Sequence, residues 1–352
     1  MISRRILAAA SLSLAALLAT PASAAPKTSF NVCWTIYAGW MPWDYIQAKG
    51  VIDKWAKKYG VTVKVTQLND YVESLNQYTA GKFDGCTMTN MDALTVPAAG
   101  GVDSTALIAG SYSNGNDGIV LKGAGKTMKD IKGQPVNLVQ FSVSHYLLAR
   151  GLDSVGLRER DVKVVNTSDA DIVGAFGTPK VSSVVTWNPQ LATVAATPGA
   201  TMVFDSSKVP GEIIDLMVVN TATLKDNPAL GKALTGAWFE IMALMKAKDK
   251  DALTLMAKAS GTDLPGYEAQ LKTTEMMYTP ADMLAFVSSP KLPETMKRVS
   301  QFSFDKKLLG DGARSADAIG VAFPGGKVNG NAKNVKLRFD PSYLQMAVDG
   351  KL

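Results

Sequence analysis

Short apolar runs of strand character alternate with amphipathic runs of helix character along this chain, and that alternation restricts the fold more than any other feature. Residues 31–36 read as a strand, and residues 44–59 as a helix with Ile46, Val51, Ile52 and Trp55 on one side. Residues 61–68 alternate as a strand, 71–80 are helical, 83–88 return to strand, 90–98 begin a helix, and 104–109 form the next strand. The pattern restarts after Gly118, with strands at 119–121, 135–139, 162–165 and 181–186 and helices at 144–155, 170–176 and 189–196. Such a chain calls for mostly parallel sheets covered by helices, here in two successive sets. The final third is mostly helical. Asn227-Pro228 opens a helix with Leu230, Leu234, Trp238, Ile241 and Met245 along one stripe, and Thr279 caps another that starts at Pro280. The Met and Trp on these helices read as core rather than as a ligand box. The Gly/Asn-rich residues 325–333 read as a surface loop.

The first residues bear on the compartment. A short basic start with Arg4 and Arg5 precedes an apolar run over 6–18 and then Thr20-Pro-Ala-Ser-Ala-Ala25. This is the form of a secretory signal peptide over residues 1–25, cut after Ala24 or Ala25. The apolar run is shorter than the ~20 residues a membrane span needs. A soluble periplasmic protein is the expectation, with the general or twin-arginine export route left open.

The chain has 352 residues, 47% of them apolar and 19% charged, which suits a folded protein of two domains. The net charge of +6 includes Arg4 and Arg5, and only six arginines follow them with no basic run. Nucleic acid is therefore not an expected partner. Cys33 and Cys86 each sit in a strand-like run. Two readings stay open for them, a disulfide between neighbouring strands or two small buried hydrophobes.

Catalytic constellations are missing. The single histidine, His145, allows at most one imidazole base, and two cysteines with one histidine make a structural zinc site implausible. There is no Gly-x-Ser-x-Gly elbow and no His-Glu-x-x-His, and Gly123-Ala-Gly125-Lys126-Thr127 lacks the first glycine of a phosphate loop. The expectation is a non-enzyme with no catalytic residue, no cofactor and no metal.

What the chain does concentrate is aromatic rings at the end of its first strand. Trp34, Tyr37, Trp40 and Trp43 fall within ten residues. Ligands of open α/β sheets bind beyond the carboxyl ends of strands, so this segment is a candidate ligand wall, with packing under the loop as the competing reading for each ring.

From here a resemblance becomes specific. Gly39-Trp40-Met-Pro-Trp43, Gly81-Lys-Phe-Asp84-Gly85, Met88-Thr-Asn90-Met-Asp92, Ser113-Asn114-Gly-Asn-Asp117, Ser142-Val-Ser-His145, Val185-Thr-Trp187-Asn-Pro189 and Pro210-Gly-Glu-Ile-Ile-Asp215 resemble the periplasmic substrate-binding proteins of nitrate/sulfonate/taurine-type ABC importers. The matches run from Phe30 to about Ala259; Thr178-Pro-Lys-Val departs from the usual pattern. Within that family the chain looks most like the branch found beside urea carboxylase, tied to urea and guanidine. The resemblance implies a type II-like, two-lobed α/β binding protein with the ligand in a cleft between lobes that close by a hinge. Lobe 1 would be residues 26–112 with 201–352, and lobe 2 residues 113–200. A monomer is implied, which delivers a small molecule to a membrane permease with its cytoplasmic ATPase. The candidate ligand residues are Trp34, Tyr37, Trp40, Asn90, Asn114, Asp117, Ser142, His145, Trp187 and Asp215.

Charge narrows the ligand. No Lys or Arg occurs within residues 28–48, 83–121 or 181–207, which hold most of the matched segments. Nitrate or a sulfonate would call for Arg or other strong donors. Asp117 and Asp215, at the two expected chain crossings, are the best ligand carboxylates, and with aromatic faces they suit a small planar cation. Guanidinium fits first and urea next. Helix N-termini near Asn90, Ser144 and Asn188 act the other way, at about 0.5–1 kcal/mol each against ~1.5–3 kcal/mol for a desolvated carboxylate–cation bond. Other small solutes (nitrate, a sulfonate, taurine, a pyrimidine) and an enzyme like the thiamine-pyrimidine synthases are the alternatives. Those synthases share the architecture but carry a cysteine cluster absent here. For His145 three roles stand side by side: ligand contact, orienter of a loop, and solvated helix start.

Overall fold

The computed structural model of the chain describes residues 27–352, and the leader expected over residues 1–25 lies outside them. Among the described residues fourteen strands form two sheets. β1 (Ser29–Thr35), β2 (Thr62–Leu68), β3 (Gly85–Thr89) and β4 (Ser104–Ser113) begin the larger one. The chain then crosses and builds the smaller sheet from β5 (Asp117–Lys122), β6 (Pro135–Leu138), β7 (Lys163–Asn166), β8 (Ser183–Trp187) and β9 (Ala200–Asp205). It returns with β10 (Ile214–Asn220), β11 (Thr274–Met276), β12 (Gly320–Ala322), β13 (Val328–Asn329) and β14 (Val335–Phe339). The larger sheet runs β13-β12-β14-β4-β10-β3-β1-β2 with β11 on β4, and the smaller runs β7-β6-β8-β5-β9. β9 hydrogen-bonds to β5 from Gly118↔Asp205 to Lys122↔Ala200. A division at residue 200 would strip that strand from its sheet, so the small sheet extends to Asp205.

Both sheets are mixed rather than mostly parallel. β1, β2 and β3 pair in parallel, as do β6, β7 and β8. Four of the six antiparallel pairs involve β5 or β10, each the first strand after a crossing; the other two are β11 on β4 and the β12–β13 hairpin. The reason is directional. Ordinary βα strands end where the two sheets face each other, whereas a strand entering straight from the other sheet starts there and must run the opposite way. The carboxylates of Asp117 and Asp215 ride on those two starts.

Local chemistry explains most element boundaries. The helix read over 44–59 is two, Pro42–Ala48 and Val51–Lys58, because Gly50 takes a left-handed φ of 65°. The stripe Leu230, Leu234, Trp238, Ile241 and Met245 is buried on the helix Pro228–Lys246, where Trp238 packs against Trp43 at 5.3 Å between ring centroids. Each such side chain contributes about 1.5–3 kcal/mol by leaving water. Thr279 caps Pro280–Val287 by accepting from the Asp282 N–H. The segment read as a loop at 325–333 contains β13, which forms a hairpin with β12. Cys33 and Cys86 sit opposite each other on parallel β1 and β3, with Cα atoms 4.4 Å apart, and are joined as a disulfide. Among the described residues no helix is long and apolar enough to cross a membrane.

Candidate functional site

Strand ends, short loops and the two crossings converge on one narrow buried space, lined by Tyr37, Trp40, Tyr71, Thr89, Asp117, Val143, Trp187, Ile213 and Asp215. β1 delivers the first two. After Thr35 the chain stays extended through Tyr37, then tightens into the turn Ala38–Trp40 before Pro42 starts the next helix. Gly39 permits that turn, since a Cβ there would stand 2.8 Å from the Ser111 hydroxyl and from the Tyr37 ring. Register sets the rest. Asp117 on β5 lies opposite Trp187 on β8, so the smaller sheet offers a carboxylate and a ring side by side. Asp215 on β10 lies opposite both Thr89 of β3 and Ser111 of β4.

The rings form a continuous wall. Tyr37 meets Trp40 edge-on at 5.0 Å, Trp40 lies tilted over Tyr71 at 5.8 Å, and Tyr71 meets Trp187 edge-on at 5.6 Å, so a row of three rings from the larger-sheet lobe reaches the smaller through the Tyr71–Trp187 contact. The backbone N–H of Ala38 also donates to the carbonyl of Asn188 across the same gap.

The electrostatics are one-sided. Burial raises the pKa of Asp117 to about 7, with Asp92 adding repulsion and a hydrogen bond from Ser113 pulling the other way. Burial also raises Asp215 well above the usual carboxylate range, although Ser111 donates to it at 2.6 Å, and Asp117 adds repulsion. No Lys or Arg is among the residues lining the space. Several polar atoms there lack a hydrogen-bond partner among the described residues: Asp117 Oδ2, the Tyr37 hydroxyl and the Trp40 indole N–H. Two buried carboxylates without a cation, beside ring faces, can hold a small ligand that carries positive charge and N–H donors. A larger open groove between Lys246 and Tyr278 lies away from these strand ends and offers surface lysines instead.

Of the ten sequence candidates, Tyr37, Trp40, Asp117, Trp187 and Asp215 line the space. The other five lie outside its lining. Trp34 is buried within β1. The Asn90 side chain clamps the returning chain, donating to the Glu212 carbonyl at 3.1 Å and accepting from the Ile214 N–H at 3.0 Å. Asn114 is tied through its N–H to the Thr273 carbonyl, and Ser142 caps the helix Val143–Ser154. His145 is buried beside Glu159 and Phe302, with its ring nitrogens 3.1 Å from the Glu159 carboxylate and 3.2 Å from the Phe141 N–H. Burial and nearby Lys306 depress its pKa to about 4. Its burial departs from a solvated helix start, and its ring is hydrogen-bonded to the loop residue Phe141 rather than set in the lining. Sequence reasoning missed Tyr71, Thr89, Val143 and Ile213. Each stands within three residues of a singled-out position or at a strand–helix junction, the only signal that could have flagged them.

Two α/β lobes with a site walled by both define a periplasmic binding protein fold, and known structures agree. The alkanesulfonate-binding protein SsuA of Xanthomonas axonopodis pv. citri superposes with a TM-score of 0.66 at 15% identity, over 82% of this chain and 96% of that one. The nitrate-binding protein NrtA of Synechocystis PCC 6803 gives 0.57 at 12%, over 93% and 100%. Residues 53–252 match the family described as NMT1/THI5 like, and the chain belongs to that family. A Brucella abortus protein named as a binding protein is 22% identical over 183 residues, 51% of this chain and 56% of that protein. The match thus spans about half the length of this curated relative.

Proposed function

We propose that this protein is the periplasmic solute-binding component of an ABC importer and closes its lobes on a small planar nitrogen compound, guanidinium or a urea-like relative. The observation that carries the reading is the pair Asp117 and Asp215, one from each lobe, both buried beside four aromatic rings with no Lys or Arg in the lining. The named ligands of the structural neighbours, an alkanesulfonate and nitrate, are anions. An anion placed here would face two carboxylates, whereas a guanidinium would satisfy both by charge-assisted hydrogen bonds and stack on the rings. In this reading the leader directs the chain to the periplasm, and the loaded protein docks on a membrane permease driven by a cytoplasmic ATPase.

Calorimetry on protein freed of carried-over ligand, against guanidinium, urea, taurine and nitrate, tests the reading. Guanidinium or urea should bind tightly and the two anions poorly. Tight binding of taurine or nitrate with neither nitrogen compound bound would overturn it.

A further inference from the structure

Behind the cavity wall lies a third buried carboxylate that touches none of the lining space itself. Asp92, 1% exposed, follows β3 in the short helix Asn90–Ala93. Its Oδ2 accepts from the Tyr71 hydroxyl at 2.7 Å and from the Thr89 hydroxyl at 2.7 Å. Tyr71 and Thr89 both line the cavity. The Tyr71 oxygen in turn accepts from the Thr89 backbone N–H at 3.0 Å, and the Thr89 oxygen from the Asp92 N–H at 3.4 Å. A hydroxyl has one proton and two lone pairs. With both protons committed to Asp92, Tyr71 and Thr89 can offer a ligand only lone pairs. Ser111 behaves likewise at the other end, spending its proton on Asp215.

We infer that Asp92 is a positioning residue that sets the hydrogen-bond polarity of the cavity, holding two wall hydroxyls as acceptors and so favouring an all-donor cation over a neutral molecule with a carbonyl. The inference rests on the function proposed above and sharpens it from the pair guanidinium or urea to guanidinium. Guanidinium carries only N–H donors, and each oxygen it meets in this wall accepts. Urea brings a carbonyl oxygen that needs a donor, and the uncommitted ones are the Tyr37 hydroxyl and the Trp40 indole N–H.

The Asp92→Asn variant tests this with almost no change of shape. The Val143 backbone N–H also donates to the Asp92 carboxylate; with the Asn oxygen kept on that donor, the amide nitrogen takes the place of Oδ2 and donates where the carboxylate accepted, so the Tyr71 and Thr89 hydroxyls become acceptors toward Asn and turn their protons to the cavity. The readout is the ratio of guanidinium to urea affinity by calorimetry, which a merely structural residue would leave alone while lowering both. Wild type should favour guanidinium, and Asp92→Asn should shrink the ratio roughly tenfold or more. Tyr71→Phe keeps the Asp92 charge and removes one accepting oxygen, and should shrink the ratio by a smaller factor. A wild-type preference for urea, or a wild-type ratio retained by either folded variant, would overturn the inference and leave the proposed function standing. Wild-type protein that binds neither compound would overturn both.

Discussion

Two carboxylate sites only three residues apart on the returning chain are handled in opposite ways. Glu212 sits in a ring of partners: the Tyr146 hydroxyl at 2.6 Å, Arg150 Nε at 2.9 Å and Arg298 Nε at 3.3 Å. One guanidinium comes from the smaller-sheet lobe and the other from the helix Lys291–Asp305. Asp215 and its counterpart Asp117 are more deeply buried, yet no cation reaches them and one Asp117 oxygen has no partner among the described residues. A structural charge is taken out of water together with its compensation. A charge left without one marks the place where compensation has to arrive from outside.

The contrast breaks most sharply under neutralisation. Asp117→Asn or Asp215→Asn should each weaken guanidinium binding about a hundredfold or more, since a desolvated charged hydrogen bond is lost. The same changes should leave the melting temperature of the empty protein unchanged or raised, because an uncompensated buried acid is removed. A fall in ligand-free stability would place the two aspartates with Glu212 as structural charges.

Acidity sharpens the same distinction without mutation. Asp117 titrates near 7 in the empty protein against an ordinary value of 3.8. The folded state therefore holds a proton between those values that the unfolded chain has released. Its contribution to ligand-free stability is complete below about pH 4 and is lost as pH rises through 7. Cation affinity runs the other way, since the ligand needs the ionised carboxylate, and should drop by up to about tenfold per unit below pH 7. Melts and calorimetry across pH 5–8 check both slopes; parallel trends would contradict the picture.

Glu212→Gln should act on stability first. Arg150 and Arg298 are about one-third and one-half exposed at their side chains, so the loss is about 1–2 kcal/mol rather than that of a fully buried pair. Thermal melts should fall by a few degrees. The smallest effect belongs to His145→Gln. His145 is neutral across the working range and lies off the cavity lining, so the affinity–pH curve should coincide with that of wild type. A shifted curve would return it to the ligand.

How much of this was legible beforehand differs by residue. Tyr37 and Trp40 could be picked out because rings cluster at the end of the first strand, and Asp117, Trp187 and Asp215 because the resemblance puts them in matched segments, the two acids at the expected chain crossings. Asn90 and His145 sat in equally suggestive words, but position in a first helical turn does not say which way a side chain points. β10 shows the limit for the fold. Residues 214–220 form a central strand of the larger sheet, yet the uninterrupted run Ile-Asp-Leu-Met-Val-Val-Asn carries no alternation to announce it.

The sequence by itself determined the α/β class, the two sets of elements, the aromatic end of the first strand and the scarcity of basic residues around it. These are properties of periodicity and composition, which local chemistry reads directly. Tertiary structure decided the mixed strand directions, the joining of Cys33 to Cys86, and the division of the acids into compensated Glu212, lining Asp117 and Asp215, and supporting Asp92. Each depends on which residue stands opposite which across strands distant in sequence. That pairing comes from the packing of whole sheets, and no local run of residues contains it.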